Sequence, residues 1–125
     1  MSSIRGEPLP VRGKPVEPRS HKHPSALSFD RLKLNEANLA RANLFEADLS
    51  DANLTGASLN TAKLRKADLR GASLYGANLF GADLTDANLT GADLRYANLT
   101  VANLSGVISA DFTGALNVPA KYLKG

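Results

Sequence analysis

Through most of this chain two positions in every five are apolar, and one residue separates them. The pattern is Ala-(Asn/Asp)-Leu-X-X, plain from Ala37-Asn38-Leu39 to Ala102-Asn103-Leu104. Leucine takes the third position at every fifth residue from Leu34 to Leu104, and stepping back once more reaches Phe29. Sixteen repeats result, over residues 27–106.

A period of five fits neither regular element. Helices need apolar residues three and four apart, flat strands two apart. Five helical residues sweep about 500°, so the leucines would spiral round the axis and leave no single apolar face. Ala and Leu two apart suit a short extended segment, in which residues i and i+2 share a side. Both then face inward, and the Asn or Asp between them points out. The fourth and fifth positions turn the corner. Gly56, Gly71, Gly76, Gly81, Gly91 and Gly106 all fall on the fifth, where a turn favours glycine.

The run of Ala-(Asn/Asp)-Leu-X-X units resembles the pentapeptide-repeat proteins over residues 27–106, roughly two-thirds of the chain. That resemblance implies an all-β fold, a right-handed quadrilateral parallel β-helix with four repeats per coil and about four coils.

The ends depart from the rule. Leu27 and Leu32 replace Ala and Phe29 replaces Leu, larger residues that suit a cap. After Leu104 the next third position is Ser109, and a fresh unit, Ala110-Asp111-Phe112, follows three residues late. Residues 107–125 are read as a C-terminal cap and tail. Val107, Ile108, Phe112 and Leu116 are expected to cover the stack, with Val118, Pro119, Tyr122 and Leu123 extending the cover or forming a self-association surface. The family resemblance implies a homodimer through such an end.

Residues 1–26 are different material, with Pro8, Pro10, Pro15, Pro18 and Pro24 and a net charge of +3. They are expected to form a Pro-rich, basic, flexible arm that docks on a partner. Residues 27–116 carry eight basic and ten acidic side chains, so the coil is nearly neutral.

Composition narrows the chemistry. There is no Cys, which excludes disulfides and thiolate catalysis. No apolar run approaches membrane-spanning length, and Met1-Ser2-Ser3-Ile4-Arg5-Gly6 lacks the apolar core of a signal peptide; a cytoplasmic location is expected. His21 and His23 in the arm have no further ligand nearby and make a poor metal site. No Ser-His-Asp set or phosphate loop is present. An enzyme is not expected, nor a cofactor.

Two surface groups stand out. Residues twenty apart share a face, which brings Tyr75, Phe80 and Tyr96, with Arg95, toward one corner of the upper coils. Exposed aromatics beside small residues make a candidate protein-contact patch. Lys63, Arg65, Lys66 and Arg70 form the dense basic cluster, and Lys63 breaks the Asn/Asp rule. No aromatic stacking platform adjoins that cluster in the sequence, so a solvated basic face is expected, with Glu46, Asp48 and Asp51 one coil below as salt-bridge partners.

These observations point to a non-enzymatic protein-binding scaffold, a small subunit or assembly factor of a larger complex docked through arm and coil surface. Two alternatives come from other classes. Some pentapeptide-repeat proteins resemble DNA and modulate DNA gyrase or topoisomerase; the neutral coil and basic ends argue against that role here. A nucleic-acid binder working through the basic arm and the Lys63–Arg70 cluster is the other.

Overall fold

The fold follows from how one repeat satisfies its backbone. The computed structural model describes residues 31–123. The arm, the His21 and His23 pair, and the first repeat with Leu27 and Phe29 lie outside the described residues. In the repeat centred on Leu64, the Lys63 N–H donates down to Ala42 O at 2.9 Å, and the Leu64 N–H donates up to Asp83 O at 2.8 Å. At the corner the Lys66 N–H reaches Thr85 O at 2.9 Å, and the Ala67 N–H closes a turn on Leu64 O at 3.0 Å. The same bonds recur repeat after repeat, so few coil donors are left orphaned.

Each repeat thus contributes one parallel bridge residue, and the backbone returns to the same side every twenty residues. Side one runs through Lys33, Asn53, Ser73 and Asp93; side two through Asn38, Ser58, Asn78, Asn98 and Leu116. Side three holds Asn43, Lys63, Asp83 and Asn103, and side four Asp48, Asp68, Asn88 and Ile108. The all-β expectation is met in a sparse form, with single bridge residues in place of long strands.

The core lies inside the four sides. Ala47 to Ala102 at first positions and Leu44 to Leu104 at third positions are buried, most of them completely. Leucines fill the middle while alanine, with no side chain beyond Cβ, lets the walls approach. Burying one leucine contributes on the order of 1.5–3 kcal/mol.

Corners need a positive φ at the fifth position, the conformation a type II turn requires at its third residue. Glycine supplies it at Gly76, with φ 67°. Other residues are forced into it, among them Tyr96 at φ 61° and the β-branched Thr61 and Val101 at 55° and 48°. Left-handed backbone at a non-glycine residue costs about 1–2 kcal/mol.

At the C-terminal end the short unit Val107-Ile108-Ser109 replaces a pentapeptide. Asn98 therefore bridges Leu116, eighteen residues on rather than twenty. The cover differs from the sequence reading. Val107, Phe112, Val118 and Tyr122 pack on the core, but Ile108 and Leu116 are exposed. Both occupy second positions in their ladders, which face outward. A single 3-10 turn, Ala120–Tyr122, finishes the cap, and the Tyr122 hydroxyl reaches Asn103 Oδ1 at 3.3 Å.

Candidate functional site

The second-position Asn and Asp do more than face solvent. Asn78 Oδ1 accepts the Phe80 N–H at 3.0 Å, and Asp93 Oδ1 accepts the Arg95 N–H at 3.1 Å. Each is an Asx turn that holds the corner from outside. At Thr85, Thr90 and Thr100 the fourth-position hydroxyl joins, as Thr100 Oγ1 does on Asn98 Oδ1 at 2.5 Å. The rule fails where the second position is not Asn or Asp. Ser73 turns instead to the Thr55 hydroxyl at 2.8 Å, and Lys63 has no oxygen to offer.

Above side one, the corner gathers three of the sequence candidates. Tyr75 and Tyr96 meet edge to face, ring centroids 5.3 Å apart with planes at 62°. The Arg95 guanidinium lies 5.4 Å from the Tyr75 ring centre, within cation–π range. It also grips Asp93 through Nε at 2.9 Å and Nη2 at 2.8 Å. Those side-chain bonds, helped by the Arg95 N–H, hold the Asp93 carboxyl down at about 2. Arg95 in turn is raised above its ordinary value, first by the same bond and then by the Asp93 charge. Tyr96 remains 57% exposed and Tyr75 40%.

Phe80 sits on the next corner, between sides two and three, and makes no ring contact with the tyrosines among the described residues. It stands 21 residues before Val101, as Tyr75 does before Tyr96, and both Phe80 and Val101 are exposed. The expected single aromatic corner is therefore two apolar edges flanking side two.

The basic cluster is also divided. Arg70 folds onto Asp68 in its own repeat, Nη2 to Oδ2 at 2.6 Å and Nε to Oδ1 at 2.8 Å. That bond, then the Asp68 charge, raises Arg70 above its ordinary value, with smaller contributions from Asp48 and Asp51 one coil below. Lys66 takes a fifth position at φ 60°. Lys63 and Arg65 line a groove of about 460 Å³ on side three, with Asn43, Phe45, Thr61 and Asp83. Phe45 is 49% exposed and supplies the aromatic surface that sequence reading found missing. The signal was the spacing: Phe45 lies twenty residues below Arg65, in the same fourth-position column.

No group of three or more His, Cys, Asp or Glu side chains placed to hold a metal ion occurs among the described residues. No helix among them is long and apolar enough to cross a membrane.

The family model for pentapeptide repeats matches residues 28–60, 72–108 and 82–116, with eight copies. No curated protein matches. Among solved structures, the chain is similar to the pentapeptide repeat protein Rfr23 of the cyanobacterium Cyanothece 51142. It is 32% identical over 80% of this chain and 70% of that one, with a TM-score of 0.48. A pentapeptide repeat protein of the Arabidopsis thaliana thylakoid lumen is 29% identical over 76% of this chain, with a TM-score of 0.45, and the chain spans 62% of its length. A third, from Nostoc, is 44% identical over 67% of this chain and 65% of its own, with a TM-score of 0.35.

Proposed function

The chain belongs to the pentapeptide-repeat family, and from that premise we propose a non-enzymatic protein-binding scaffold that presents side two and its Tyr75–Tyr96–Arg95 edge to a protein partner. Residues 27–106 are the right-handed β-helix of about four coils in this reading. Residues 107–125 cap it, and residues 1–26 are a docking arm for a larger cytoplasmic assembly.

One observation carries the reading. Two tyrosines and an arginine stand exposed in a fixed arrangement, and these residue types dominate binding energy at interfaces. Arg95 is already held by Asp93 and Tyr75, so little of its side-chain freedom is lost on docking. Tyr96 keeps its ring at this corner despite a backbone better suited to glycine. The C-terminal end is occupied by the chain's own Phe112, Val118 and Tyr122, which weighs against a homodimer through it.

Affinity capture from native lysate tests the reading, with the full chain, the Tyr75→Ser/Tyr96→Ser double variant and a 27–125 truncation in parallel. The expected result is a partner lost by the double variant while its melting curve stays two-state. Full retention by the double variant overturns the surface assignment.

The gyrase or topoisomerase alternative predicts altered supercoiling on adding the protein. The near balance of eight basic and ten acidic residues over 27–116 disfavours a DNA mimic, because a mimic must present the dense negative charge of a duplex.

A further inference from the structure

We infer that the groove on side three is a nucleotide-binding site, with Lys63 and Arg65 on the phosphate and Phe45 under the base. The inference is independent of the protein-contact reading and uses a different side of the coil.

The departure of Lys63 from the Asn/Asp rule is the starting point. In the repeat below, Asn43 Oδ1 accepts the Phe45 N–H at 3.2 Å; in the repeat above, Asp83 Oδ1 accepts the Thr85 N–H at 3.1 Å. Between them, the corresponding Arg65 N–H makes no hydrogen bond among the described residues. Lysine carries no acceptor, so Lys63 removes the turn's own oxygen and brings a cation to the groove that it lines with Arg65. Arg65 adds a guanidinium at the same corner. Neither cation enters an ion pair among the described residues, unlike Arg70 and Arg95. The Arg65 N–H and two cations without an ion pair among the described residues thus share one groove, where the coils below and above place an Asn43 or Asp83 oxygen on the N–H. A phosphate oxygen replaces that acceptor and brings charge that both side chains complement.

The rest of the groove selects among anions. Its volume of about 460 Å³ lies within the range of small-molecule sites, roughly 300–1,000 Å³. Inorganic phosphate would leave most of it unfilled. Phe45 presents an exposed ring to a planar base, and stacking of a base on an aromatic side chain is sequence-tolerant. Asp83 closes the upper part, with one carboxylate oxygen committed to Thr85. The other accepts a ribose hydroxyl or a base amino group and disfavours a second phosphate. The ligand class is therefore a nucleoside monophosphate unit, free or within a single strand.

The test is a titration of the ¹⁵N-labelled full chain followed by NMR. Adenosine monophosphate, inorganic phosphate and a short single-stranded oligonucleotide are added in separate arms. The expected result is a saturable downfield shift of the Arg65 amide with adenosine monophosphate, and binding roughly tenfold weaker with phosphate alone. Lys63→Asn should restore the turn bond to the Arg65 N–H and abolish the response without lowering the melting temperature. Phe45→Ala should reduce adenosine monophosphate affinity roughly tenfold and leave phosphate affinity unchanged. Tighter binding of the oligonucleotide places the nucleotide in a strand; tighter binding of the monophosphate places it free. An unmoved Arg65 amide, undiminished binding by Lys63→Asn, or equal affinity for phosphate and monophosphate overturns the inference.

Discussion

Tyr75 and Tyr96 are 21 residues apart in sequence yet meet edge to face, with ring centroids 5.3 Å apart. One coil brings Tyr96 over Gly76, and the extra residue sets it diagonally across from Tyr75. A Cβ at Gly76 would meet nothing within 4 Å, so the glycine there serves the positive φ of the corner rather than the approach of the rings.

Two opposing energies meet at Tyr96. An aromatic pair contributes about 0.5–1.5 kcal/mol, and left-handed backbone at a non-glycine residue costs about 1–2 kcal/mol. Tyr96→Gly should therefore leave stability unchanged or slightly raised while weakening partner capture at least tenfold. Denaturant melts beside a pull-down check this; a large loss of stability would show that Tyr96 is structural first.

Asp93 gives a pH-dependent contribution with a definite sign. Its folded carboxyl is held at about 2 by Arg95, below the ordinary value near 3.9. The stabilisation is full above the ordinary value and is lost as pH falls from about 4 toward 2. In Arg95→Ala the Asp93 titration should move back up toward the ordinary range, read by NMR of the side-chain carboxyl. The pair is partly exposed, so its contribution to stability should be small and should shrink with salt.

Leu69 is fully buried in a middle coil. Leu69→Lys places an unpaired charge where no water reaches, a change that typically costs more than about 4 kcal/mol. Each coil leans on its neighbours, so loss of the whole β signal by circular dichroism is expected. A local defect with an intact melting transition would contradict the nearest-neighbour picture.

Val101 is β-branched, two-thirds exposed and at φ 48°. Val101→Gly should raise stability by about 1 kcal/mol, because little buried surface is lost and the strained conformation is relieved. Gly76→Val imposes that strain and should lower stability by a similar amount. Paired thermal melts check both signs.

Asn78→Ala removes the acceptor for the Phe80 N–H and should cost about 0.5–1.5 kcal/mol. Ser73→Asn adds such an acceptor beneath Tyr75 but takes the hydroxyl from Thr55, so its gain should be smaller. Chemical denaturation of the two variants orders them.

Much of this molecule is legible one repeat at a time. Ala and Leu two apart must share a side, and a glycine-tolerant fifth position must turn, so the buried core and the corners follow from Ala37-Asn38-Leu39 and its copies. The Asx turns were less visible, because Asn and Asp read equally well as solvated residues until Oδ1 is found on the N–H two residues on. Ile108 and Leu116 misled for a related reason. Their hydrophobicity suggested a cap, but Ile108 keeps the twenty-residue register on Asn88 and the short unit at 107–109 brings Leu116 onto Asn98, so both take outward-facing second positions.

The amino-acid sequence by itself determined the period, the inward and outward faces and the residue types at each corner, because these depend on backbone geometry over five residues. Only the tertiary structure decided which side chains meet across coils. Phe45 joining Lys63 and Arg65, Tyr96 reaching Tyr75 and Phe80 standing apart all depend on coil length and on rotamer choice. Those are summed over twenty residues and settled by packing, and no single repeat contains them.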